Sequence, residues 1–143
     1  MIPNKKTAHI AGLLFLLMVL SGLFAELFFR QRIFTDDAAE TTARILANPM
    51  LYRAGILSDI VMSLSYLLTA MALYRLLSKV DEGQAKAMVL FAAAGCVILM
   101  VNVLNEYMPL IYSGTQSGAF SATQIGELSQ MSFAAYNNGY MIG

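Results

Sequence analysis

The sequence predicts an all-α, multi-pass transmembrane helical bundle, and three observations carry that expectation. Ile10 to Phe29 is an unbroken apolar run whose only charge is Glu26. At about 1.5 Å per residue, such a helix crosses a hydrocarbon core of about 30 Å. The pattern then recurs between Leu51 and Leu77 and between Ala87 and Leu104. Composition agrees: 58% of the 143 residues are hydrophobic and 13% charged, whereas roughly a quarter of a soluble domain is charged. The mean hydropathy is +0.63.

The first helix is expected over about residues 8–30, after a polar leader, Met1 to His9, that carries Lys5 and Lys6. A cleaved leader is the alternative reading. Cleavage after Ala25 would put Leu23 where a small residue is wanted, and the apolar run continues through Leu27, Phe28 and Phe29, so a retained helix is expected. In the polar interval that follows, Asp37 and Glu40 mark a helix start, and Glu40 and Arg44 share a face. An interfacial helix over about residues 37–48 follows from this, with Ala38, Ala39, Ile45 and Leu46 as its apolar side. Asn48-Pro49 ends it, because the residue before proline avoids the helical region.

The second span, about residues 51–78, holds Arg53 and Asp59 before an uncharged run from Ile60 through Tyr74. A charged turn with Arg75, Lys79, Asp81, Glu82 and Lys86 leads to a third span over about residues 86–110, where Ala92, Ala93, Ala94 and Gly95 permit close helix contact. Its end is polar, with Asn102, Asn105 and Glu106, before Pro109 and a loop over Ser113 to Gly118. A fourth helix is expected to start at Ser121, whose hydroxyl can cap it, and to run over about residues 121–143, apolar from Met131 onward. Those last residues cover only about 20 Å, too little for a span, so either this end re-enters or the chain is a fragment of something longer, and the fragment is expected.

Positively charged segments resist translocation. A cytoplasmic N-terminus puts Lys5, Lys6, Arg75, Lys79 and Lys86 inside and Arg30, Arg32, Arg44 and Arg53 outside. The loop after the third span has no Lys or Arg, which fits the outer side, and Tyr52, Tyr107 and Tyr112 then belong to an outer aromatic belt. The expected location is the cell membrane.

This topology gathers Glu26, Arg30, Arg53, Asp59, Asn102, Asn105 and Glu106 on one side of the bilayer, with Tyr136, Asn137 and Asn138 beside them. Glu26 can pair with Arg30, and Asn102 with Glu106, each four residues apart. Asp59 has no such neighbour, because Arg53, six residues away, lies on another face. It must reach another helix, neutralise or meet water, and an intramembrane ionisable group costs on the order of 3 kcal/mol on insertion scales. The candidate ligand-binding residues are therefore Arg53, Asp59, Asn102, Glu106, Glu26 and Arg30, with a network of Arg53, Asp59 and Glu106 at the centre. The blander reading is that these residues only fix the packing of three helices.

Nine basic and nine acidic residues cancel, so no broad field draws nucleic acid. Cys96, the lone cysteine, lies in an apolar run and reads as a small buried hydrophobe. The ten methionines show no repeat suited to copper, and carboxylates without a neighbouring histidine or cysteine do not make a transition-metal site. No metal or cofactor is expected, and His9 beside its lysine pair reads as solvated.

Several blocks resemble one family. Asn4-Lys5-Lys6-Thr7-Ala8-His9-Ile10-Ala11-Gly12-Leu13-Leu14 is similar to the opening of bacterial DUF4386 proteins, small multi-pass membrane proteins of unknown function. Ile45-Leu46-Ala47-Asn48-Pro49, Leu51-Tyr52-Arg53 and Asp59 resemble that family's approach to its second helix, and Ala72-Leu73-Tyr74-Arg75-Leu76-Leu77-Ser78-Lys79-Val80 resembles the end of that helix. Tyr136-Asn137-Asn138-Gly139-Tyr140 resembles the start of a later one. His9 departs from the pattern, which has a basic Arg there. The resemblance implies a fold, further helices beyond this chain's end, and no catalytic residues.

Three functional classes follow. A non-enzymatic bundle would bind a small solute, lipid or protein partner through the polar cluster. A small proton- or cation-coupled transporter would use the paired carboxylates. A membrane-embedded enzyme comes last, because the cluster offers neither histidine nor cysteine.

Overall fold

The computed structural model describes residues 5–114 and 120–142. The start of the leader, Thr115 to Gly118 of the expected loop, and Gly143 lie outside the described residues. Among the described residues five helices follow in order: α1 (Lys5–Ile33), α2 (Ala38–Ala47), α3 (Pro49–Leu77), α4 (Glu82–Gly114) and α5 (Ala122–Tyr140). No strand occurs among the described residues. Three of the helices, α1, α3 and α4, are long and apolar enough to cross a membrane.

Their surfaces require lipid. Between Lys5 and Phe24 only Ala11 and Ser21 are buried, while Leu13, Phe15, Leu16, Leu20 and Leu23 are exposed. A helix that is apolar all round needs an apolar solvent on its free faces.

The last turns of α1 depart from regular geometry: Ala25–Arg30 is π-helical, with Ala25, Phe29 and Arg30 all buried. At 3.6 residues per turn, five residues advance about 140° past a full turn, so Ala25 and Arg30 would face apart. The i→i+5 pattern of a π turn brings residue i+5 back above residue i. Arg30 thereby enters the bundle instead of the lipid.

At the start of α2, Asp37 Oδ1 accepts from the Ala39 and Glu40 N–H groups at 2.7 and 3.1 Å. Arg44 Nη2 lies 2.7 Å from Glu40 Oε1. The helix turns Ile45 of its expected apolar side toward protein and leaves Leu46 59% exposed. It packs against α5, with Thr41, Thr42 and Ile45 buried, and Ile45 completes a core formed with Phe29, Ile33, Tyr52, Ile56 and Val103 of α1, α3 and α4. Asn48 closes α2, and Pro49 opens α3 at the position where a missing N–H costs nothing.

The third span runs through Pro109 to Gly114, longer than expected. Proline removes one hydrogen bond to the fourth residue back, and tight burial of Pro109 keeps the chain helical through the defect. At its other end Asp81 Oδ1 accepts from Gln84 N–H at 3.0 Å. Ser121 caps α5 in a reciprocal box: its Oγ accepts from Gln124 N–H at 3.3 Å, and Gln124 Oε1 accepts from Ser121 N–H at 2.8 Å.

Helix α1 packs along α3, α3 along α4, and α4 along α5. Small residues carry these seams. Ser58 Oγ donates to the Ser21 carbonyl at 2.8 Å, and Cys96 Sγ donates to the Ser63 carbonyl at 3.3 Å. At Gly55 a Cβ would overlap the Phe29 ring, and at Gly139 it would overlap the Asn102 amide. Both positions mark near backbone approach. Phe29 is fully buried, its ring edge-on to Tyr52 at 5.0 Å, and cannot retreat. Gly55→Ala should therefore destabilise the protein by about 1–3 kcal/mol through overpacking, read as a lower unfolding midpoint. An unchanged midpoint would show that the seam is loose.

Candidate functional site

The π turn delivers Arg30 to a point where four helices meet. Its Nη2 donates to Asp59 Oδ2 from α3 and to the Tyr136 hydroxyl from α5. The same nitrogen lies 3.3 Å from Glu106 Oε1 of α4. Nη1 donates to Glu26 Oε2 at 3.3 Å, one turn back on α1. The Tyr136 hydroxyl donates to Asp59 Oδ2 at 3.3 Å, and the guanidinium carbon lies 4.6 Å from the Tyr136 ring centre. Asp59 and Glu106 are each 1% exposed and Arg30 7%, whereas the Glu26 side chain is 58% exposed.

One guanidinium thus faces two buried carboxylates and a third at the rim. Arg30 Nε, Asp59 Oδ1 and both Glu106 carboxyl oxygens have no hydrogen-bond partner among the described residues. Excess acidic charge in a low-dielectric interior is costly unless something cationic, a proton included, balances it.

Two supports hold the cluster's walls. The Tyr52 hydroxyl donates to the Glu106 carbonyl at 2.7 Å, and Asn102 Nδ2 donates to the Tyr136 carbonyl at 2.7 Å. Asn105 Nδ2 donates to Asn102 Oδ1 at 2.9 Å. Asn102 therefore ties α4 to α5 instead of pairing with Glu106. Tyr52, fully buried, is not part of an interfacial belt.

The expected centre of the network is corrected as well. Arg53 is exposed, and Arg30 takes its place beside Asp59 and Glu106. Arg53 lies six residues from Asp59, on another face of α3, and packing turns the Asp59 face inward. Arg53→Ala should shift stability by no more than about 0.5 kcal/mol, as surface substitutions do, a contrast with Arg30 that an unfolding titration would read directly.

Beside the cluster lies a cavity of about 740 Å³ between α1, α3 and α5. Glu26, Arg30, Asp59 and Ser63 form its polar side. Met18, Val19, Leu23, Met62 and Leu99 form its apolar side, and Tyr66, Tyr136, Asn137 and Tyr140 close it. Helices α1 and α5 do not pack along one another, which leaves this space. The four-residue spacing of Tyr136 and Tyr140 marks one face of α5, a signal that could have placed both at the site. The contribution of Tyr66 had no comparable signal.

An all-α bundle with membrane-length apolar helices and a buried ionic cluster beside a cavity defines an integral membrane protein. The chain belongs to the family described as a domain of unknown function, DUF4386, whose model matches residues 10–143. Among curated proteins and solved structures, none matches the chain.

Proposed function

We propose that this protein crosses the cell membrane several times, with its N-terminus in the cytoplasm, and binds a small amphiphilic molecule in the α1–α3–α5 cavity without chemically changing it. The observation that carries this reading is the cavity of about 740 Å³, with charged groups on one side and methionine and aliphatic side chains on the other. Small-molecule sites are commonly about 300–1,000 Å³, mostly apolar, with a few convergent polar groups. The excess of Lys and Arg in the leader and the α3–α4 turn, at Lys5, Lys6, Arg75, Lys79 and Lys86, supports the orientation.

A test uses Val19, on the cavity wall and partly open to lipid. A compound that binds the native state adds about 2.7 kcal/mol of stability at a hundred times its dissociation constant and so raises the unfolding midpoint. Amphiphiles should do so in wild type and not in Val19→Trp, whose larger side chain occupies the space while the ligand-free midpoint stays close to wild type. Equal shifts in the two proteins would place binding elsewhere.

A second reading, a proton- or cation-coupled transporter, draws on the orphaned oxygens of Asp59 and Glu106. It predicts ligand flux in proteoliposomes that depends on a pH or cation gradient, whereas a binding protein would show saturable binding and no flux.

A further inference from the structure

We infer that the cavity selects an organic cation, an amphiphile with a primary ammonium head that lies against Asp59 and Glu26 and a hydrocarbon body along Met18, Leu23 and Met62. The inference rests on the cavity being a ligand site, as proposed above, and adds the sign and kind of the ligand's head group.

Charge comes first. Asp59 and Glu26 belong to the cavity wall, with Glu106 behind them, and Arg30 is the only cation in the cluster among the described residues. Arg30 is also largely engaged: one Nη1–H is held by Glu26, and Nη2 by Asp59 and Tyr136 with Glu106 alongside. An anionic head would have the Nε–H and one Nη1–H of a guanidinium already shared among carboxylates, and would meet three carboxylates at short range. A cationic head reduces the excess.

Hydrogen bonding agrees. Asp59 is 1% exposed, yet its Oδ1 has no partner among the described residues while its residue lines the cavity. A buried acceptor left unmade is expensive, and hydrogen bonds to charged groups are the stronger kind. A primary ammonium brings three donors and no acceptor, so it can bond the half-exposed Glu26 at the rim while its charge lies beside the buried Asp59 carboxylate. A neutral hydroxyl brings a single donor and leaves the charge unbalanced.

The remaining wall suits the same ligand. Tyr66, Tyr136 and Tyr140 line the cavity, and aromatic rings attract ammonium groups. Tyr136 already serves Arg30 in this way.

The test compares three probes of one chain length and different head charge: n-octylammonium, n-octanol and n-octanoate. Each is titrated calorimetrically at neutral pH into the protein in lipid nanodiscs, with empty nanodiscs as the blank. The expected result is saturable octylammonium binding at least about tenfold tighter than either other probe, the scale of one hydrogen bond to a charged group. Asp59→Asn should weaken it by about tenfold or more on the same scale. Glu26→Gln, at the exposed rim where folding is not at stake, should weaken it by a smaller but measurable factor.

If octanoate or octanol binds as well as octylammonium, and Val19→Trp removes that binding, the cavity is a ligand site and the cation inference is wrong. If octylammonium binds but Glu26→Gln and every folded Asp59 variant bind it as wild type does, the head group lies elsewhere and the inference is also overturned. If none of the probes binds saturably, both this inference and the binding site beneath it fail.

Discussion

Arg30→Met should destabilise the folded protein by about 3–5 kcal/mol, the range seen when one partner of a buried ion pair is removed. Among the described residues, Arg30 is the only cation touching Asp59 and Glu106, both almost fully buried. Methionine fills much of the same volume but leaves two carboxylates facing each other in a low-dielectric interior. The loss should therefore come mainly from uncompensated charge, not from a cavity. Adding Asp59→Asn and Glu106→Gln to Arg30→Met should restore most of the lost stability, since replacing a whole buried ionic group by neutral residues is often close to neutral. Reversible unfolding in mixed detergent micelles would read all three proteins. Should the triple variant be no more stable than Arg30→Met, the arginine's role would be packing, and the ionic account would be wrong.

Tyr52→Ala should cost a similar amount, about 3–5 kcal/mol, as large aromatic truncations in a filled core do. Tyr52 is fully buried, edge-on to Phe29 at 5.0 Å and 6.2 Å from Phe34. Its hydroxyl donates to the Glu106 carbonyl in the stretch of α4 that Pro109 has thinned of helical hydrogen bonds. Tyr52→Phe keeps the ring and loses only that bond, for which about 1 kcal/mol is expected. The difference between the two variants separates ring packing from hydrogen bonding. If Tyr52→Phe were as damaging as Tyr52→Ala, the hydroxyl would be the main support of α4 at this point.

Much of the fold was legible because its signals are local. The apolar runs, the Asp37 and Ser121 caps and the Asn48-Pro49 junction each act within a turn or two, and helix periodicity needs no knowledge of neighbours. The gathering of Glu26, Arg30, Asp59 and Glu106 near one another also followed from counting spans, since alternating direction brings the end of one helix beside the start of the next. The burial of Ile45 in α2 was not legible, because it had two ways to leave water, lipid or protein, and nothing within ten residues distinguishes them. Filling the space beside Ile33 and Tyr52 decided for protein.

The cluster's membership was less legible. Counting along α3 excluded Arg53 as an intrahelical partner for Asp59 but left it available to a network across helices. The arginine that meets Asp59 is chosen by the rotation of each helix about its own axis, and no linear spacing encodes that angle. The π turn at Ala25–Arg30 swings Arg30 inward, and Gly55 lets the Phe29 ring settle against α3. Residue composition and helical period thus sufficed for a membrane bundle with buried charge at one end. The pairing of that charge, the place of Tyr136 in it, and the cavity beside it arose when four helices packed, because ion pairs and voids depend on distances between elements far apart in the chain.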